Sequence, residues 1–338
     1  MRVTQACLCY CSLIATVVFR TFGLESREVG KTYCDEMNLM SADGHRKMKV
    51  AVNSFSRKKA KHLNVDKRRY DRGPAHVLLV GSSNFRNIVN VFATLMQRQP
   101  HNWLEPLGPF NVSRQLLVRS KKGTVLANFM GLDFSEPHYK FAYPIPPSQR
   151  SHPNERMIHD AIHFCDHLGG HGGCDAVDIV VIDMIVWQLS SLFQRFCTRK
   201  GWDVVVDKER ILAYTPGEGW YHPKLATEFG TNLTALVKTA IQTFPRAKVC
   251  VQTSPRVLMN DDNALNQRRL PAHAVDDFNN AVRRVSAKSG ACLVEMASII
   301  GEEKTFFAKG GVHLKFPVYR EITRFFTGLA RCLKLARV

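Results

Sequence analysis

Two short segments of the 338-residue chain carry side chains that do covalent chemistry. Gly81-Ser82-Ser83-Asn84 offers a hydroxyl directly after the apolar run His76-Val-Leu-Leu-Val80. Gly310-Gly311-Val312-His313-Leu314 offers an imidazole just before a final helical stretch. A serine hydroxyl becomes a useful nucleophile only when a base takes its proton, and neutral imidazole is the side chain suited to that near neutral pH. Ser83 and His313 stand 230 residues apart, so only a tertiary fold can join them. Each also has a plainer use: Ser83 as the cap of a strand-to-helix turn, His313 as a backbone-bonded ring at the start of the last helix. Neither GxGxxG nor GxxxxGK[ST] occurs, so no nucleotide-phosphate loop is indicated.

A third group is His159, His163, His167 and His171, repeated every four residues. On a helix the first three share one stripe, and an i, i+4 pair binds zinc when a further ligand such as Asp160 or Cys174 closes the site. Nothing in the sequence fixes a fourth ligand, and Gly169-Gly170 ends the helix. A solvated histidine face is therefore expected, with no metal and no cofactor.

The elements that must position Ser83 and His313 are legible as periodicity. The run 76–80 is continuously apolar, as in a strand buried on both faces of a parallel sheet. Over 85–97, Ile88, Val89, Phe92, Leu95 and Met96 fall on one helical face. Strand-like runs at 177–183, 248–253 and 291–296 alternate with helix-like stretches near 224–243, 273–288 and 317–334. This alternation predicts an α/β fold, a three-layer α/β/α sandwich with a mostly parallel central sheet of flavodoxin-like type. Ligands of such sheets sit outside the carboxyl ends of the strands, where Ser83 lies. Residues 98–176, rich in proline, read as an irregular insertion.

The arrangement resembles the SGNH/GDSL hydrolase superfamily, especially its glycan O-acetyltransferase and acyl-esterase branch, over about residues 75–336. Val77-Leu-Leu-Val-Gly81-Ser82-Ser83 is similar to the family's first block, making Ser83 the implied nucleophile. Asp178-Ile-Val-Val-Ile-Asp183-Met-Ile-Val-Trp187 is similar to its third, and Gly310-Gly311-Val312-His313-Leu314 to its last, making His313 the implied base. Two departures stand out. The family's aspartate three residues before the histidine is Gly310, so a Ser83–His313 dyad is implied unless Glu302, Glu303 or a backbone carbonyl orients the ring. The asparagine of the oxyanion hole is Asp183, and losing such a donor costs about 2.7–4 kcal/mol of barrier. The remaining oxyanion donors implied are the Ser83 amide and a glycine, Gly131 first, with Gly123 and Gly108 behind it. The implied reaction is acyl transfer from an acylated carbohydrate or similar ester; the rival is a weak or inactive member that binds a glycan or a protein. Trp187 is placed at the core or the cleft edge, while Trp202 and Trp220 read as loop-packing residues.

The formal charge of +18 is unevenly spread. Residues 46–72 hold eleven Lys/Arg and two acids, a net of +9, and read as a solvated basic stem able to touch acidic glycans or anionic lipids. With only Phe55 and Tyr70 as aromatics there, no specific nucleic-acid partner is expected. The 14-residue apolar run at 6–19 reads as a signal peptide or signal anchor ending near residue 23, followed by the stem at 24–74 and the catalytic-type domain at 75–338. A secretory-pathway location follows, with sequons at Asn111 and Asn232. Disulfides are expected among Cys165, Cys174 and Cys197, whereas Cys250 and Cys292, in apolar strand-like runs, are expected as free thiols.

Overall fold

In the computed structural model of the protein, the described residues are 44–57, 74–81, 83–102, 116–130, 165, 173–204, 206–214, 219–258 and 264–335. Their strands are β1 (His76–Gly81), β2 (His101–Asn102), β3 (Leu116–Arg119), β4 (Val125–Met130), β5 (Ile179–Asp183), β6 (Lys248–Gln252) and β7 (Cys292–Val294). They form one sheet in the order β2-β3-β4-β1-β5-β6-β7. The five strands from β4 to β7 pair in parallel, and β3 and β2 extend the β4 edge antiparallel. The expected irregular stretch 98–176 thus contains three sheet strands. β2 and β3, of two and four residues, are too short to stand out as apolar runs, and the turn of Ser120–Thr124 joins β3 antiparallel to β4, a strand as long as β1.

Both faces of the sheet are covered. Leu78, Val80, Val180, Ile182 and Val251 point to one side, against α3 (Ile185–Arg199), α5 (Lys224–Thr243) and α7 (Ala272–Ser289). Val77, Leu79, Ile179, Val181 and Val294 point to the other, against α2 (Ser83–Met96), α8 (Met296–Ile300) and α9 (Phe316–Leu335). Because side chains alternate along a strand, a strand buried on both faces must be apolar at every position, which is the pattern of β1 and β5. Two short helices, α4 (Lys208–Ala213) and α6 (Ala264–Arg269), lie outside this frame and pack on each other.

The solvated stem expected at 46–72 is corrected over its first part. Residues Gly44–Arg57 form helix α1, packed on α8 and α9. Met48 is fully buried and Val52 nearly so, His45 Nδ1 lies 2.9 Å from Ile299 O, and Lys49 pairs with Glu303. Two apolar residues four apart give the helix one sticky edge, enough to dock it although its mean composition is polar. The domain therefore begins before residue 75.

Of the cysteine expectations, the free thiols at Cys250 and Cys292 are corrected, while a disulfide among Cys165, Cys174 and Cys197 is present. Cys165–Cys174 is a disulfide, as is Cys250–Cys292, which joins β6 to β7 where the two residues are in register. Register places their Cα atoms 4.3 Å apart, within bonding reach that no linear spacing reveals. Cys332 is disulfide-bonded too, while Cys197 is a buried free thiol whose pKa burial raises to about 11. Among the described residues no helix is long and apolar enough to cross a membrane. The apolar run at 6–19, the histidines His159, His163 and His167, and the sequon at Asn111 lie outside them, and Asn232 sits half-buried within α5.

Candidate active site

The site starts from the chain's crossing of the sheet. After β1 the chain turns to α2 on one face, and after neighbouring β5 it turns to α3 on the other, so the two carboxyl ends part and leave a crevice. Gly81 and Asp183 are the paired last residues of those strands. Gly81 has φ +139°, and a Cβ there would lie 1.7 Å from the Asp183 carbonyl oxygen. Only glycine lets the backbone pass so close and swing Ser83 into the first position of α2. There the first amides of the helix have no intrahelical acceptor, so the Ser83 N–H is free of the helical ladder.

His313 reaches the same crevice from the other end of the chain. The loop before α9 is closed by a bridge between Phe307 and Leu314, by Ala308 N donating to His313 O at 2.8 Å, and by Gly311 N donating to Ala308 O at 3.1 Å. Gly310 and Gly311 turn it with φ of +94° and +66°. Both values lie in the left-handed region that glycine adopts without strain.

The structure places Ser83 Oγ 2.9 Å from His313 Nε2, at a partly exposed position. With the imidazole proton on Nδ1, Nε2 accepts the serine hydroxyl. Burial, then the charges of Arg86 and Arg269, hold the His313 pKa below its ordinary value of 6.5, so the ring is a neutral base at neutral pH. Among the described residues no group bonds Nδ1. Glu302, named as a substitute orienter, binds Arg256, and Glu303 binds Lys49 and Thr305, which hold its pKa near 2. Both carboxylates are thereby committed elsewhere.

Tyr319, which sequence reading did not single out, ties the two halves together. Its phenol, 4% exposed, donates to Asn84 Oδ1 and accepts from Asn87 Nδ2 and from Leu314 N, both at 3.1 Å. One hydroxyl thus clamps the residue after Ser83, the next turn of α2, and the residue after His313. Burial raises its pKa, keeping it a neutral donor. The only sequence hint is a tyrosine amid the apolar stripe Val318, Ile322, Phe325 and Phe326.

Asp183 is corrected as an oxyanion-hole member. Its carboxylate accepts from Ser254 Oγ at 2.8 Å, Ile185 N at 3.3 Å and Gln252 Nε2 at 3.3 Å, and the residue is buried. It is an acceptor tying β5 to β6 and to the start of α3, with both carboxylate oxygens turned to those donors. Gly123 is corrected too: it lies in the turn between β3 and β4, over Pro74 just before β1, at the opposite end of the sheet. Gly131 and Gly108 lie outside the described residues. Trp187 is half-buried in the first turn of α3, Trp202 packs on Phe196 and Tyr214, and Trp220 packs on Phe193 and Tyr221.

Solved structures of esterases and lipases are similar to this chain. One is a protein described as a GDSL-like lipase from Parabacteroides merdae, at 12% identity over 77% of this chain and 97% of that chain, with a TM-score of 0.39. Another is Est24, a carbohydrate acetylesterase from Sinorhizobium meliloti, at 13% identity over 78% and 99%, with a TM-score of 0.39. A third is the aryl esterase of M. smegmatis, at 11% identity over 78% and 99%, with a TM-score of 0.38. No family model and no curated protein matches the chain. What the site can do rests on its own geometry.

Proposed function

We propose that the protein is a slow serine esterase or acyltransferase of the SGNH type, working through a Ser83–His313 dyad. The observation that carries this is the 2.9 Å contact between Ser83 Oγ and a histidine nitrogen kept neutral by its surroundings, at the crevice between β1 and β5. His313 takes the hydroxyl proton as Ser83 Oγ bonds to the ester carbonyl carbon. The oxyanion that forms is met by the Ser83 amide at the start of α2, and the leaving alcohol departs with the proton from His313. Water or another alcohol, deprotonated in turn by His313, then takes the acyl group from Ser83. Acylated carbohydrates are the substrate class that the sequence resemblance implies. A secretory location is supported by the apolar run at 6–19 and by disulfides at Cys165–Cys174 and Cys250–Cys292, which persist in oxidising compartments.

Turnover is expected to be low, since triad enzymes that lose their carboxylate fall by about 10⁴-fold. The Asp183 bonding pattern and Gly310 favour a second reading, a binding protein that keeps the fold without the reaction. Hydrolysis of p-nitrophenyl acetate by the full chain, compared with Ser83→Ala, separates the two. The esterase reading expects the variant to lose about 10²-fold of the rate above background, the margin left to a serine enzyme that already lacks its carboxylate. Equal rates for both proteins would leave only the binding reading.

A further inference from the structure

A cleft of about 840 Å³, a size usual for small-molecule sites, is lined by residues of α3, α4 and α6 and of the segments at 220–221 and 256–258. It shares a wall with the loop that carries His313. Leu258 N donates to Gly311 O at 3.2 Å, and Asn266 Nδ2 donates to Gly310 O at 3.4 Å. Two residues of chain span at most about 7 Å, so the cleft wall begins within one small ring's width or two of the His313 backbone.

The lining is aromatic and aliphatic. Phe193 meets Trp220 edge-on at 5.4 Å, and Trp220 meets Tyr221 at 5.9 Å, forming a corner with fixed ring orientations. The Tyr221 hydroxyl is anchored by Asp277 at 2.7 Å. Three cations also line the cleft: Arg256, Arg268 and Lys304. Arg256 is neutralised by Asp276 and Glu302. Arg268 makes one bond, to Leu212 O at 3.0 Å, which holds α6 on α4 and leaves its charge uncompensated among the described residues. Lys304 is exposed, with no carboxylate partner among the described residues.

These features select a ligand class. Hydroxyl-rich sugars are recognised through carboxylate and amide acceptors, and the described lining offers one carboxylate, already on Arg256, and one amide, Gln267. Apolar walls with two uncompensated cations suit a different shape of molecule. We propose that this cleft binds an amphiphilic anion, with its apolar body against Phe193, Trp220 and Tyr221 and its carboxylate or phosphate end on Arg268 and Lys304. The claim concerns binding and stands whether or not Ser83 is a nucleophile.

Calorimetric titration of the full chain with decanoate, decyl phosphate and decanol, all below micellar concentration, tests this. At least one of the two anions should saturate a single site, with decanol at least about 10-fold weaker, as expected for a charge-assisted bond. Whichever anion binds more tightly names the head group. Ser83→Ala should bind with unchanged affinity. Arg268→Gln combined with Lys304→Gln should lose about 10-fold or more for the anion and little for decanol. Because Arg268 also holds α6, Lys304→Gln alone, at an exposed position, is the control variant and should lose about 3-fold. Decanol binding as tightly as the anions, no saturable binding of any of the three, or anion affinity unchanged in Lys304→Gln and in the double variant would each overturn the proposal.

Discussion

At the residue scale the site departs from a serine triad in its electrostatics. A carboxylate on imidazole raises the ring's pKa and waits for the cation, whereas Arg86 and Arg269 oppose that cation here. Activity that needs neutral His313 is present above its pKa and is lost as pH falls through it. With that pKa below 6.5, the acid limb of kcat/KM should lie below pH 6.5. Arg86→Gln removes one opposing charge, so the limb should move to higher pH; a limb that stays in place would deny Arg86 its electrostatic part. Tyr319 acts through others, as a positioning residue. Tyr319→Phe strands the Leu314 amide and the Asn84 carbonyl, costing about 1–3 kcal/mol of stability. Because the Ser83–His313 contact loosens as well, kcat should fall about 10-fold with KM nearly unchanged, which steady-state kinetics at a temperature well below Tm would read.

At the scale of elements, the divergence of the chain after β1 and β5 makes the site. Asp183 belongs to that frame: its carboxylate accepts from Ile185 N at the start of α3, Gln252 Nε2 at the end of β6 and Ser254 Oγ two residues beyond it. Asp183→Asn turns one acceptor into a donor facing those same donors. The variant should lose thermal stability, by about 1–3 kcal/mol in denaturant titration, rather than gain activity. Strands β1, β5 and β6 and helices α2, α5, α7 and α9 were legible because burial on both faces writes itself into every residue of a strand, and burial on one stripe into every third or fourth residue of a helix. Ser83 and His313 were legible for a related reason, since each sits where such an element begins. What was not legible depends on through-space coincidence. The Tyr319 clamp joins atoms 235 and 232 residues away, the Cys250–Cys292 bridge follows from register, and the cleft wall at Trp220 comes from a loop with no periodicity.

At the scale of the whole molecule, the basic N-terminal region and the catalytic-type body are one folded unit over α1. Half of the chain's excess charge lies in residues 46–72, yet the buried Met48 makes α1 a structural part of the body. Met48→Ala should cost about 2–5 kcal/mol, and a fragment starting at residue 75 should melt lower than the full chain. The Lys49–Glu303 pair adds a pH dependence. Glu303 titrates well below its ordinary 4.5, so whatever the pair contributes is present above that pH and is lost as pH falls toward 2, and amide exchange in 44–57 should quicken over that window. The Cys250–Cys292 bridge closes 42 residues and, on chain-entropy grounds, stabilises by roughly 4 kcal/mol. Paired substitution of both cysteines by valine should lower the urea midpoint without moving the pH limb of any esterase activity.

Acyl transfer at Ser83 can be read most directly from the protein itself. The full chain is mixed with p-nitrophenyl acetate, quenched in acid within the first turnover, digested and examined by mass spectrometry. A working Ser83–His313 dyad predicts an acetyl group on the peptide containing Ser83, accompanied by a nitrophenolate burst and lost in His313→Gln. Acetylation confined to surface lysines, or a Ser83 adduct that forms as fast in His313→Gln, would be incompatible with the dyad.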